Sequence, residues 1–206
     1  MYTLRARKNG HFPFYGINPV VRFLIVSDVV LVGAAGLLTP VFAIFILERI
    51  SGGDAAVVGI SAAIFLLAKS SVQIAGASVI DRIRGERDDF LMLLASTLVF
   101  SLLPLLYLII DSAPELYAVQ ALNGVATGLS FPPYMAIMTR HIDKRREGTE
   151  WGIRFTLTDL IAAGAATVGG LIAVRFGFDL LIYLLVAAQL LGTALLLPLR
   201  RYMRRR

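Results

Sequence analysis

Long stretches without a single charge constrain this chain more than any other feature. Residues 29–47, 90–110, 116–139 and 180–199 carry no Asp, Glu, Lys or Arg over 19 to 24 residues each. A helix rises 1.5 Å per residue, so each run reaches across the ~30 Å hydrocarbon layer of a bilayer. Two further runs are nearly as apolar: 55–80 is broken by Lys69, and 151–174 by Arg154 and Asp159. The expectation is an all-α integral membrane protein with six transmembrane helices. Composition agrees, with 57% hydrophobic and only 17% charged residues, against about 25% charged in soluble domains.

Six such spans consume most of the 206 residues, leaving no room for an aqueous domain between them. The chain is therefore read as one six-helix bundle over 1–206. A net charge of +6 would suggest nucleic acid for a soluble chain, but here the placement of the cations argues against that partner. Sixteen of the 20 Lys and Arg fall on one side: Arg5, Arg7, Lys8, Arg22; Arg82, Arg84, Arg87; Arg140, Lys144, Arg145, Arg146; and Arg200, Arg201, Arg204, Arg205, Arg206. Only Arg49 and Arg175 fall on the other. The positive-inside rule then puts both termini in the cytoplasm, and the expected location is a prokaryotic cytoplasmic membrane. The first apolar run is too long for a cleaved signal and ends in Glu48-Arg49, so it is expected to stay attached. Membrane lipids are expected partners. The C-terminal arginines are a topology anchor or contact anionic head groups, at about 1 kcal/mol per cation.

Prolines mark an internal repeat, since helix interiors usually reject them. Pro19 and Pro114 precede the first and fourth spans, Pro40 and Pro132 lie late in them, and Pro104 and Pro198 sit in the third and sixth. The offsets are 95, 92 and 94. Units of about 19–110 and 114–199 are thus expected to be copies, and three spans per copy make them inverted, a pattern found in transporters. The third and sixth spans, rich in Leu and free of charge, are expected to face lipid, with the other four inside.

Polar residues on the four inner spans recur at helical spacing. One stripe holds Asp28, Ala35 and Thr39; a second holds Ala62, Lys69, Gln73 and Gly76. The fourth span aligns Gln120, Asn123, Thr127 and Tyr134 beside Gly124-x-x-x-Gly128, a pair that admits another backbone. The fifth aligns Gly152, Asp159, Ala163, Ala166 and Gly170. A charge at bilayer depth costs at least ~2.5 kcal/mol, so Asp28, Lys69 and Asp159 need a partner, water or a proton. Asp28, Lys69, Gln73, Asn123 and Asp159 are the candidate substrate and proton site. The structural alternative is a Lys69–Asp28 ion pair with Asp159 satisfied by Arg154 or a neighbouring helix. For Gln120, Asn123 and Thr127 the alternative is interhelical glue, and Arg154 is expected to snorkel to the surface.

Other chemistries find no support. There is no cysteine, and both histidines, His11 and His141, lie outside the spans, so no cofactor or metal site is expected. No nucleophile elbow, metalloprotease motif or nucleotide-binding loop appears. An enzyme is not expected.

The chain resembles the N-terminal six-helix half of the major facilitator superfamily. After the second span the family carries G-x-x-x-D-R-x-G-R-[KR], and this chain reads Ala77-Ser78-Val79-Ile80-Asp81-Arg82-Ile83-Arg84-Gly85-Glu86-Arg87. Asp81 and Arg82 match; Ala77 replaces the first Gly, and Gly85 aligns only with a one-residue insertion. Gln120-x-x-x-Gly124 stands where the family often has R-x-x-x-G, without the Arg. Against the antiporters' G-P-x-x-G-G, residues 165–170 share only Gly169-Gly170, so antiport is not implied.

The resemblance implies that Asp81, with Arg82, acts as a conformational latch between two halves. Family members normally have two six-helix halves, so a parallel homodimer is expected, its seam on the first, second, fourth and fifth spans. The function expected is secondary transport of a small solute by rocker-switch alternating access, with proton coupling. The alternative is a non-transporting structural or regulatory subunit docked on another membrane protein.

Overall fold

The computed structural model describes residues 16–82 and 85–203, apart from the side chain of Val79. Of the expected features, Arg5, Arg7, Lys8, Arg84, His11 and the last three arginines lie outside the described residues. The described chain is helical, with no strand beyond a single bridge between Ser51 and Ser112. Helix α1 (Pro19–Leu38) starts with the Asn18 side chain accepting from the Val20 N–H at 2.9 Å and Pro19 in the first turn, a position where its missing N–H costs nothing. Thr39–Val41 tightens to a 3-10 turn at Pro40, and α2 (Phe42–Arg49) continues the same passage. Next come α3 (Ala55–Arg82), α4 (Glu86–Leu102), the 3-10 segment Leu103–Leu108, α5 (Ala113–His141), α6 (Glu147–Ala194) and a last 3-10 turn, Leu197–Arg201. Pro104 and Pro198 each lie in such a tightened segment. Pro132 remains within the α-helix, unlike its expected counterpart Pro40.

Four described stretches are long and apolar enough to cross a membrane: Pro19–Arg49, Ala55–Arg82, Glu86–Leu108 and Glu147–Arg201. The expected set of six is thus matched in part, for two reasons. Helix α5 is long enough, but Gln120, Asn123, Thr127, Ser130 and two prolines dilute its apolarity. The last stretch holds two of the expected spans. Its 48-residue helix would run about 72 Å if straight, more than twice a bilayer core. It is broken at Gly177, whose φ of +82° suits a residue without Cβ. Trp151, Ile153 and Leu157 share one apolar cluster with Leu196, Leu199 and Met203, so the arms on either side of Gly177 run antiparallel.

Two helix pairings dominate, α1 with α6 and α3 with α5. Both depend on small residues. A Cβ on Gly124 would stand 2.5 Å from the Phe65 carbonyl oxygen, and one on Gly128 would stand 2.6 Å from that of Lys69. In α1, Gly33 and Gly36 face Ile161, Ala162 and Ala165, while Gly169 lies against the Leu37 carbonyl. The expected close approach at Gly124-x-x-x-Gly128 is therefore real, and α3 is the backbone it admits. Without a hydrophobic force between helices in lipid, such contact is the main source of helix association.

Apolar residues gather in two clusters. One is at the basic end, around Val21, Leu24, Phe90, Ile137 and Leu199; the other is at the opposite end, around Phe45, Ile46, Leu116, Phe178 and Leu181. Polar side chains lie between them. The third and sixth spans each bury one side and expose the other: α4 buries Phe90 and Leu93 and exposes Leu91, Leu98 and Leu102, and the second arm of α6 buries Leu181, Ile182 and Leu185 and exposes Leu184 and Leu191. Helix α3 is the least buried of the four stretches. Leu content does not distinguish a lipid face from a core face, because both are apolar.

An added methyl group tests the close approach. Gly169→Ala is expected to lower the thermal unfolding midpoint in detergent, by an overpacking cost of about 1–3 kcal/mol. Gly164→Ala, where nothing lies within 4 Å, should leave it unchanged or raise it.

Candidate functional site

Between the two clusters, α1 contributes Ser27 and Asp28, α4 contributes Thr97 and Ser101, and α5 contributes Gln120, Asn123, Thr127 and Tyr134. The first arm of α6 adds Arg154, and the second adds Gln189 and Thr193. Hydroxyls in this layer satisfy themselves locally. Thr97 Oγ1 donates to the Leu93 carbonyl at 2.6 Å and Thr127 Oγ1 to that of Asn123 at 2.8 Å. Others cross between helices: Ser27 Oγ donates to the Gly192 carbonyl at 2.7 Å, and the Ser101 and Thr193 hydroxyls meet at 2.8 Å. Buried polar groups require such partners.

One ion pair stands in the layer. Arg154 Nη2 lies 2.8 Å from Asp28 Oδ2, with side-chain exposures of 13% and 16%. The pair is close but poorly aligned, since Asp28 Oδ2 has no hydrogen bond of good geometry. Arg154 Nε donates instead to Tyr134 Oη at 2.9 Å. The guanidinium also lies 5.1 Å from the Tyr134 ring, 5.7 Å from Trp151 and 4.9 Å from Phe155. Cation–π attraction at such distances strengthens when water is excluded. This departs from the Lys69–Asp28 alternative and corrects one expectation. Asp28 pairs with Arg154 and not with Lys69, and Arg154 is held inside and does not snorkel. The reason is placement: Trp151 and Phe155 are within a turn of Arg154 on its own helix, and the α1–α6 approach brings Asp28 to it.

A second network lies nearer the opposite end. Tyr107 Oη accepts from Asn123 Nδ2 at 3.0 Å and donates to Gln120 Oε1 at 3.2 Å. Gln120 and Asn123 thus tie α5 to the 3-10 segment, as the glue alternative has it, whereas Thr127 bonds within its own helix. Gln189 is 1% exposed, and its Oε1 has no hydrogen-bond partner among the described residues.

Three cavities adjoin these groups. One of about 220 Å³ is lined by Asp28, Thr97, Thr127, Ser130, Tyr134 and Arg154 among others. Another, of about 300 Å³, is bordered by Asn123, Gln120, Tyr107 and Gln189. Ala35 and Phe100 line both. A cleft of about 450 Å³ at the basic end includes Gln73, Asp81, Thr139 and Arg140. Arg140 there is paired with the buried Asp89. The five candidate residues are thus dispersed: Asp28, Asn123 and Gln73 each line a different cavity. Lys69 and Asp159 line none of the three and make no ion pair among the described residues. Asp159 is exposed and Lys69 half-buried; Asp81 and Arg82 are exposed.

Three residues outside the candidate set shape the site. Arg154 was legible as a cation among aromatic residues, Trp151-x-x-Arg154-Phe155. Gln189 is the lone amide in a charge-free run. Tyr107 carried no signal, because its importance depends on α5.

A model of the Major Facilitator Superfamily matches residues 24–206. The chain belongs to the Major Facilitator Superfamily. With its apolar helices, this makes it a multi-pass membrane protein. Among solved structures, the in meso crystal structure of the POT family transporter PepTSo shares the fold, with a TM-score of 0.70 at 13% identity. The match covers 90% of this chain and 38% of that one, so the superfamily member described here spans well under half the length of its structural relative. No curated protein shows significant sequence similarity to it.

The ion pair of this superfamily member can be tested by double substitution. Arg154→Gln alone should destabilise the protein by about 3–5 kcal/mol, the cost of stranding a buried charge. Adding Asp28→Leu to Arg154→Met should recover most of that loss in denaturant unfolding.

Proposed function

We propose that this chain is one six-helix half of a secondary transporter for a small solute. It works by rocker-switch alternating access, as a parallel homodimer, with a proton carried on Asp28. The observation that carries this reading is the Asp28–Arg154 pair, held between two apolar clusters with a cavity beside it. Charge at this depth is costly, so the pair has two states worth distinguishing. With Asp28 ionised it ties α1 to the first arm of α6. With Asp28 protonated, Arg154 keeps Tyr134 and the aromatic rings and loosens its hold on α1. A proton and a solute that prefer different arrangements of those helices are thereby coupled. The basic end faces the cytoplasm in this reading. Lys69 and Asp159 meet the solute on the faces that the second bundle covers, and Gln73 and Asn123 lie further along the helices that line its path.

The reading takes Pro19–Arg49, Ala55–Arg82, Glu86–Leu108, α5 and the two arms of α6 as six crossings, in inverted units of 19–110 and 114–199. Contacts that repeat at nearly constant offset support it. Leu37 meets Gly169 while Leu129 meets Gly76, offsets of 92 and 93. Ser101 and Thr193, also 92 apart, touch each other, as expected of a pair on the relating axis. Lys69 and Asp159 on incompletely covered faces, with Leu160 66% exposed, favour a second bundle against α3 and the first arm of α6. A second copy supplies it, and Asp81 and Arg82 latch the two at the cytoplasmic end.

Because the chain has no cysteine, Leu160→Cys is expected to form a disulfide-linked dimer in membranes. Leu191→Cys, on the other arm, should not. A stoichiometric different partner and no cross-link would favour a docking subunit. In proteoliposomes with a trapped pH dye, a panel of small solutes should include one whose movement carries protons. Asp28→Asn should keep solute exchange and lose gradient-driven accumulation. Lys69→Ala and Asp159→Asn should each abolish uptake; full activity in both would remove them from the site.

A further inference from the structure

Most polar side chains inside this bundle have partners, and α3 breaks that pattern twice on one face. Lys69 and Gln73 stand four residues apart, so they leave the helix on the same side. Both are half-buried, and neither makes a side-chain hydrogen bond or ion pair with any described residue. Two carboxylates share the bilayer depth of Lys69. Asp28 is held by Arg154, and Asp159 is exposed on the first arm of α6, which packs on α1 while α3 packs on α5. An ammonium left without a counter-charge at this depth is costly. We propose that the solute is an anion bearing a carboxylate or similar oxyanion group, that Lys69 supplies its counter-charge, and that the Gln73 amide donates a second hydrogen bond. The inference rests on the transporter reading in taking Lys69 to lie on the face that the second bundle covers, and in taking the bound anion as the transported species.

Placement suits an anion that reaches the seam from the basic end. Gln73 lines the cleft of about 450 Å³ between α3 and α5, which also carries Thr139 and Arg140. Asp81 lies on the same cleft but is exposed and twelve residues from Lys69, about 18 Å along the helix, too far to serve as its counter-ion. The Lys69 backbone is fixed, because Gly128 lets α5 lie against it, so the ammonium moves only within the reach of one side chain. An ammonium and an amide N–H one turn apart match an acceptor with two oxygens, and hydrogen bonds to an ionised group are the stronger kind. A cationic solute would meet Lys69 as a like charge, and a neutral one would leave the ammonium unpaired. Two rivals compete with the anion: Asp159 of a second copy, and a lysine that has given up its proton.

The chain holds three lysines, Lys8, Lys69 and Lys144. Lys8→Arg with Lys144→Arg therefore leaves a single side-chain signal in NMR of the full chain, labelled with carbon-13 lysine, in nanodiscs of zwitterionic lipid. The probes are sodium acetate and inorganic phosphate, against uncharged acetamide, with chloride holding the ionic strength constant. Acetate or phosphate should move the Lys69 signal saturably, and acetamide at the same concentrations should not. Gln73→Leu, folded by circular dichroism, should weaken the anion about three- to tenfold. No saturable shift with either anion, an equal response to acetamide, or unchanged affinity in Gln73→Leu would each overturn the proposal. So would a neutral amine signal at pH 7 with the anion present. Asp159→Asn should leave the signal in place; if it moves that signal without added anion as far as acetate does, Lys69 belongs to that carboxylate and the proposal fails. Equilibrium binding needs no transport, so the two readings fail separately. Flux of an uncharged solute in proteoliposomes without anion binding keeps the transporter and removes the anion. Anion binding without anion flux removes transport and leaves an anion site.

Discussion

Backbones lie almost in contact at two places in this bundle, and the remaining architecture depends on them. Gly124 and Gly128 admit the backbone of α3 at Phe65 and Lys69, and Gly169 admits that of α1 at Leu37. In lipid there is no hydrophobic gain from bringing two Leu-rich helices together, so close approach at small residues must supply the association energy through dispersion and local dipoles. Once α1 is held against the first arm of α6, the depth of Asp28 relative to Arg154 is set. Once α3 is held against α5, the position of the cleft between them follows.

The polar layer between the two apolar clusters exploits that rigidity. Ser27, Ser101 and Thr193 cross-link helices with short hydrogen bonds, which an apolar medium strengthens. Most of the layer is satisfied internally. The exceptions are therefore informative: an ion pair with poor alignment at Asp28 Oδ2, and an amide oxygen without a partner at Gln189. Buried polar groups in folded proteins nearly always find a protein, water or ion partner. Here each lines a cavity, one charged and one neutral, and the two share the walls Ala35 and Phe100.

Much of the fold was legible in residues 29–47, 90–110 and 180–199, because length and apolarity together mark helices able to cross a membrane; residues 116–139 are helical too, but their polar groups and prolines dilute that signal. The Gly124-x-x-x-Gly128 pair announced a close contact, though not which helix would make it. The site was less legible. Asp28 and Asn123 were rightly singled out as interior polar groups, yet they fall in separate cavities, and Lys69 lies in neither. A polar stripe reports which face of a helix is polar. It does not report the rotation of that helix against its neighbours, and one residue of rotation, about 100°, exchanges one partner for another.

Sequence by itself determined that the chain lives in a membrane, that its cations gather at one end, and where its helices can approach most closely. These properties are local, being set by side-chain transfer energies and the absence of a Cβ. Only the tertiary structure decided that Asp28 faces Arg154 and not Lys69, that Tyr107 ties Gln120 to Asn123, and that Gln189 borders an open space. Each of these depends on distance between residues far apart in the chain, which the crossing of helices sets and no single stretch of sequence contains.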